Sequence, residues 1–420
     1  MFDRYLNTIE TVMANNHAVF MGTSQAVTLL YLDYKISSKQ FKIALENYIN
    51  KNPLLQQKLV IQNKKWCLQK NSHPVSNFEV YRYEEKIKDF DLILEKEVNN
   101  ILDYNQVLSK LKIIYPVQNK GCIIILTQHH AIMDTYSAKK ILKDLIDSIS
   151  IDEEEKYYEH FPVWKYFNAK EVADCDIRQV HKPDNDFSQA LKIFDNPLPL
   201  KWTAVDTWII NPSLLSSMEY YAKKLDCRLN SLLTVIYSIA VMKLLNINNI
   251  NTYSAVTYRK NYDLMNQLGC LLDVVNINVK IWDIDDSVRR FEREISYIKK
   301  HLSKELETTS QILADAKKQK MSFQKAVRLC EGLGFTNSGR TDTLKFENDI
   351  NVLAYRSVAN RTSGALLFTY HMSFHKGSLI TSVLTSQLLL DKKSIQLFIQ
   401  NINKYIKIID QRVKLMKAQD

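Results

Sequence analysis

The chain has 420 residues, 46% hydrophobic and 24% charged, a balance that argues against disorder and supplies material for a large core, divided most simply between two lobes. The formal charge of +10 is dispersed over short clusters such as Lys317-Lys318-Gln319-Lys320 and Arg289-Arg290, so no motif for nucleic acid emerges. A phosphate-bearing cofactor, an acidic carrier domain, or a charge excess without function each account for it.

The predicted elements follow in chain order. Residues 26–36 read as a strand, and Ser37 or Ser38 caps a helix with Phe41, Ala44, Leu45, Tyr48 and Ile49 on one face, ended by Pro53. Residues 111–115 and 121–127 form two strand-like runs around a short polar turn, a predicted hairpin. Ala138, Ile141, Leu142, Leu145, Ile146 and Ile149 then recur at helical spacing. Residues 150–200 lose this regularity, with an acidic run at Asp152-Glu153-Glu154-Glu155 and prolines at 183, 197 and 199, as in an inter-lobe connection. The predicted lobes are therefore residues 1–175 and 176–420.

Beyond the connection, Asn230 starts a helix apolar on nearly every face, and residues 252–258 form a strand ending at Arg259. Ser287 is expected to cap a helix with Val288, Phe291, Ile295 and Ile298 inward. Residues 365–374 and 378–385 read as strands around a His375-Lys376-Gly377 turn, with His371 and His375 expected to be solvated. A last helix spans residues 393–409. Strands and helices mix without strict alternation, which predicts an α+β fold.

Several chemistries lose support. With 8 glycines in the whole chain there is no GxGxxG, GxxxxGK[ST] or GxSxG, against dinucleotide folds, P-loop NTPases and hydrolases with a nucleophile elbow. The six cysteines (Cys67, Cys122, Cys175, Cys227, Cys270, Cys330) lack metal-ligand spacing and read as reduced core thiols. Met1-Phe2-Asp3-Arg4-Tyr5 carries charge early and no apolar run is of spanning length, so a soluble cytoplasmic protein is expected.

What remains is Gln128-His129-His130-Ala131-Ile132-Met133-Asp134-Thr135, where a strongly apolar strand runs into two histidines and a carboxylate before a helix. A histidine at a strand mouth is suited to take a proton from an alcohol or amine and return it at neutral pH. On the residues alone, both histidines also fit structural roles and Asp134 fits a helix N-cap. A metal reading needs a third ligand that the sequence does not place.

His129-His130-Ala131-Ile132-Met133-Asp134 resembles the HHxxxD signature of the superfamily that includes chloramphenicol acetyltransferase, nonribosomal peptide synthetase condensation domains, and stand-alone polyketide-associated and alcohol acyltransferases. Lys51-Asn52-Pro53-Leu54-Leu55 is similar to the family's rhPxLR segment, with Gln56 where an arginine is common. Val256-Thr257-Tyr258-Arg259, Leu268-Gly269 and Asn276 resemble its R…G…N block, and Gly334-Phe335-Thr336-Asn337-Ser338-Gly339 its SNxG segment. The resemblance implies a pseudo-dimer of two α+β lobes with a substrate tunnel between them, and an enzyme of natural product biosynthesis that acts as a monomer.

It also implies roles. His130 would be the general base for attack of an alcohol or amine on an acyl thioester, Asp134 the partner of Arg259 in a buried salt bridge, His129 an organiser of the loop, and Asn337 an oxyanion or substrate-positioning donor whose plainer role is to turn the chain before Gly339. The donor would be acyl-CoA or the phosphopantetheine of a carrier protein, with no tightly bound cofactor and no metal. Two departures stand out: Thr135 replaces the glycine that usually follows the aspartate, and DFGWG of full condensation domains is missing. Thr135 motivates the alternative of a catalytically degenerate module that binds a carrier protein or acyl ligand.

Overall fold

The structure is a computed structural model that describes residues 4–19, 22–71, 78–83, 89–117, 121–149, 170–171, 203–257, 259, 265–280, 283–300, 332–341, 344–361, 366–386 and 392–419. The first half contains β1 (Arg4–Tyr5), α1 (Thr8–Val19), β2 (Gln25–Leu32), α2 (Ser38–Lys51), β3 (Gln57–Gln62), β4 (Lys65–Lys70), β5 (Phe78–Tyr83), α3 (Phe90–Asn99), β6 (Ser109–Pro116), β7 (Cys122–His129) and α4 (Thr135–Asp147). Local chemistry sets their bounds. Ser37 Oγ accepts from the Gln40 amide to open α2, Phe41, Ala44 and Leu45 are buried at i, i+3, i+4 spacing, and Pro53 opens a short 3-10 turn once the helix has ended.

The second half contains β8 (Lys170–Glu171), β9 (Thr203–Ile210), α5 (Pro212–Lys224), α6 (Leu229–Leu245), β10 (Asn249–Thr257), β11 (Leu272–Lys280), α7 (Ile284–Lys300), β12 (Leu333–Arg340), β13 (Val352–Ala359), β14 (Phe368–His375), β15 (Ser378–Ser386) and α8 (Lys392–Lys417). Every residue of α6 from 231 to 242 is buried, because the helix lies among the seven-stranded sheet and its covering helices. Among the described residues no single helix is long and apolar enough to cross a membrane.

The strands form three sheets, ordered β1-β4-β3, β13-β2-β7-β6-β5 and β11-β10-β12-β14-β15-β9-β8. β13 joins the first lobe's sheet although it lies far downstream, pairing antiparallel with β2. The boundary expected at residue 175 lies outside the described residues, and Lys170–Glu171 pairs with β9 in the second sheet.

One face of the five-stranded sheet carries Leu30, Ile124 and Leu126 against α2 and α4. Its other face sets Val27, Ile123 and Ile125 against α3 and against Ile380 and Leu384 of β15, so the two large sheets share a core. The seven-stranded sheet packs its opposite face on α5 to α8.

Three expectations need correction. The helix expected to start at Ser287 starts at Ile284, because Asp283 accepts from the Asp285 amide, and Ser287 is buried within it. The last helix runs on to Lys417. His371 and His375 are 7% and 1% exposed rather than solvated, since β14 has helices on one side and the first lobe on the other. Cys67, Cys122 and Cys270 are buried thiols outside any disulfide and Cys227 is partly buried, while Cys175 and Cys330 lie outside the described residues.

Candidate active site

β7 is buried along its whole length, so the chain must turn sharply at its end to deliver polar groups to the inter-lobe space. The Ile132 amide closes that turn on the His129 carbonyl (3.2 Å), and Ala131, Ile132 and Met133 sink into an apolar cluster with Leu59, Trp66 and Leu68 of the small sheet. The motif therefore has an apolar anchor on one side and α4 on the other.

Asp134 does two jobs that the sequence offered as alternatives. Its Oδ1 accepts from the Ser137 amide (2.8 Å), capping α4. The same carboxylate takes a forked pair from Arg259, with Nη2 at 2.8 and 2.9 Å from its two oxygens and Nε at 3.2 Å. Both side chains are almost wholly buried, at 1% and 4% exposure, and the Tyr136 ring covers the guanidinium at 4.7 Å. Arg259 also reaches Ser137 Oγ and the Gly269 carbonyl, while the Leu271 amide donates to Asp134 Oδ2. The buried charges are thus paired and hydrogen-bonded, the condition under which such a pair is tolerated.

This clamp ties the segment around residues 267–271 of the second lobe to the motif of the first, and it brings Cys270 Sγ to 3.8 Å from His130 Nδ1. The His130 ring also interacts with its own backbone carbonyl, a contact that favours the protonated form. Burial pulls the His130 pKa below the ordinary value, the carbonyl bond and Asp134 oppose that, and Arg361 adds to it. At neutral pH the ring is therefore an unprotonated imidazole, the form a general base requires.

His129 is placed differently. Its ring is 1% exposed, lies 4.4 Å from that of His17 in α1, and accepts the Ala131 amide at Nδ1 (3.1 Å). Burial, reinforced by His17 and His130, holds its pKa well below the usual range, so it braces the turn as a neutral ring.

An inter-lobe cleft of about 610 Å³ opens beside the motif, walled by Thr135, Tyr136 and Lys139 of α4 and by residues of β10 and β12. Asn337 lies on that wall, but its amide is engaged at both ends: Nδ2 donates to Asn230 Oδ1 (2.6 Å) and Oδ1 accepts from the Gly339 amide (2.6 Å). Gly339 has a φ of +73°, so Asn337 shapes a turn that only glycine follows easily. Lys139 donates to the Ser338 carbonyl across the lobes, and burial draws its pKa down to about 8.

Three groups were not assigned to this site by sequence reasoning. Cys270 follows Leu268-Gly269 directly, the one local signal available for it. Arg361, just after β13, and His371, on β14, meet the motif only through the pairing of distant strands. The charge of Arg361 reaches both His130 and His371 and lowers the pKa of each, secondary to burial. Among the described residues no group of three His, Cys, Asp or Glu side chains could hold a metal ion.

Neither a family model nor a curated protein matches the sequence. Solved structures do match in fold. Polyketide synthase associated protein 5 from Mycobacterium tuberculosis is 15% identical, with a TM-score of 0.60 over 96% of this chain and 97% of that one. The epimerization domain from the third module of tyrocidine synthetase B is 12% identical, with a TM-score of 0.63 over 98% and 96% of the two chains. The starter condensation domain of rhizomide synthetase RzmA, solved with C8-CoA and Leu-SNAC, is 9% identical, with a TM-score of 0.66 over 97% and 94%. The chain has the two-lobed α+β fold of CoA-dependent acyltransferases and condensation domains.

Proposed function

We propose that the protein transfers an acyl group from a thioester, on CoA or on a carrier protein's phosphopantetheine, to an alcohol or amine, with His130 as general base. The observation that carries this reading is the state of His130: Cys270 Sγ lies against Nδ1, burial keeps the ring neutral, and Nε2 has no hydrogen-bond partner among the described residues. The fold alone would not carry it, because the same fold serves an epimerization domain.

In this reading Nε2 takes the proton of the acceptor O–H or N–H as that atom attacks the thioester carbonyl carbon. The tetrahedral intermediate collapses with cleavage of the C–S bond, and the same proton passes from Nε2 to the departing sulfur. No acyl-enzyme forms and the imidazole returns to its starting state. A positioned base contributes ~10²–10⁴-fold, and holding donor and acceptor in line between the lobes supplies much of the rest. Asp134 and Arg259 act by fixing the turn that carries His130, and Asn337 enters as part of the cleft wall.

Thr135 bears on the alternative of a binding module without chemistry. Its side chain lines the inter-lobe cleft together with Asp134, and a passage to His130 closed at Thr135 is what that alternative calls for. The test is free-thiol release by the purified protein with acyl-CoA and acyl-carrier donors and pooled amines and alcohols. Acceptor-dependent release that is lost in folded His130→Ala is the expected result. Donor binding without turnover in both proteins would overturn the proposal.

A further inference from the structure

Close enough to His130 for their charges to interact lie hydrogen-bonding groups that the reaction outlined above does not use. Ala359, Ala26 and Gln128 lie side by side on β13, β2 and β7, and Arg361 and His130 each follow two residues later. The register continues past β13, since the Asn360 amide donates to the Gln25 carbonyl (2.7 Å) and the Ser24 amide to the Asn360 carbonyl (3.1 Å). Arg361 and His130 thus leave the same end of the sheet on strands flanking β2, with backbones about 10 Å apart at two strand spacings.

Arg361 is held by its main chain, whose amide donates to Thr203 Oγ1 (2.8 Å). Its Nε is closed off from solvent and has no hydrogen-bond partner, and among the described residues no carboxylate pairs with the guanidinium. Arg356, five residues earlier on β13, is different: it pairs with Asp91 and donates to Ser382 Oγ (3.0 Å).

The second lobe adds His371. Its ring is buried at 7% exposure, and neither ring nitrogen has a partner. On β14 it alternates with Phe368, Tyr370 and Met372, which belong to the helix-side core, so it takes the opposite face, toward the first lobe. Thr369, on that same face, has a buried Oγ1 that also lacks a partner. Arg361 thus stands close enough to His371 for its charge to act on the ring, with its Nε shut off from solvent and no carboxylate beside it, and a guanidinium partly withdrawn from water without an anion is costly. Loss of its charge is no escape, since an arginine stays protonated even when burial draws its pKa down to about 10.

We propose that Arg361, assisted by His371, is a subsite for a carboxylate carried by one of the two substrates. The planar fork of an arginine matches a carboxylate. This inference rests on the acyl-transfer reading for the identity of the substrates and refines it: the acceptor is an amino or hydroxy acid, or the acyl group is that of a dicarboxylic acid.

Two measurements on the full chain test it. In the first, thiol release is compared for matched partners: phenylalanine against phenylalaninamide and 3-phenyllactate against its amide with a neutral acyl-CoA, then succinyl-CoA against butyryl-CoA with a neutral acceptor. A preference for the charged member in one set names its source, and in Arg361→Gln or His371→Gln it falls about tenfold or more, as expected for a charge-assisted hydrogen bond. Equal losses on charged and neutral members in both variants would overturn the subsite.

The second measurement needs no turnover. Histidine ring NMR signals are followed during titration with sodium acetate against sodium chloride at equal ionic strength. A saturable, acetate-specific shift of His371 that survives His130→Ala and is lost in Arg361→Gln supports the subsite. No saturable shift, or one unchanged in Arg361→Gln, overturns it. Absence of thiol release from every donor with the acetate shift present would instead reject acyl transfer and retain the anion site.

Discussion

At the residue scale, Asp134 is the side chain on which most depends, because it caps α4, pairs with Arg259 and receives the Leu271 amide. Asp134→Ala removes the carboxylate from the buried Arg259 charge, so a loss of ~3–5 kcal/mol in denaturant unfolding is expected. Activity in the proposed reaction should fall with it, because the turn that carries His130 loses its clamp. His129 and His371 supply a pH prediction. Burial lowers both pKa values far below the ordinary one, so the unfolded chain binds more protons than the native state below about pH 6.5. Stability is then full above that pH and declines as pH falls through it, and His371→Gln should flatten the decline in urea midpoints measured from pH 7.5 to 5. The sequence made the Asp134–Arg259 pair legible only through resemblance, since 125 residues separate its members. It misled on His371, where Phe368–His375 alternates like a half-solvated strand. The polar side of that strand faces another lobe instead of water, which no local pattern encodes.

At the scale of elements, the best-read parts were those with strong local signals. Ser37 before an amphipathic run, the apolar β7 and the all-apolar α6 all stand close to where their sequences put them. Ser37→Ala should cost about 1 kcal/mol by removing the cap of α2. Ile124, fully buried in β7, should cost ~2–5 kcal/mol as Ile124→Ala, the range for a truncated core side chain. Both are checked by chemical denaturation, and because neither residue borders the cleft, turnover per folded molecule should survive. β13 was not read from its sequence. Val352–Ala359 contains Arg356 and Ser357, polar residues that argue against a buried strand unless their partners are known, and those partners come from β2, α3, β9 and β15.

At the scale of the whole molecule, the site exists because segments cross between the lobes. β13 completes the first sheet, Arg259 and Cys270 reach the motif from the second lobe, and Arg356 ties α3 to β9 and β15. Arg356→Met removes the cation from that junction, leaves Asp91 without its partner, and should loosen the lobes. The expected signature is faster amide hydrogen exchange in β9 and β15 with the cores of α6 and β7 still protected. The central claim is that a neutral His130 between the lobes is the base for acyl transfer, and its most direct test is the pH dependence of kcat/KM for acceptor-driven thiol release. His129, Asp134, Arg361, His371 and Cys270 surround the ring, and burial outweighs the opposing pull of its own carbonyl and Asp134, so the acid limb is predicted below pH 6.5. That limb should move upward in Arg361→Gln, which removes a neighbouring positive charge, and should vanish together with turnover in folded His130→Ala. Turnover that persists in His130→Ala with the acid limb unchanged would contradict the account.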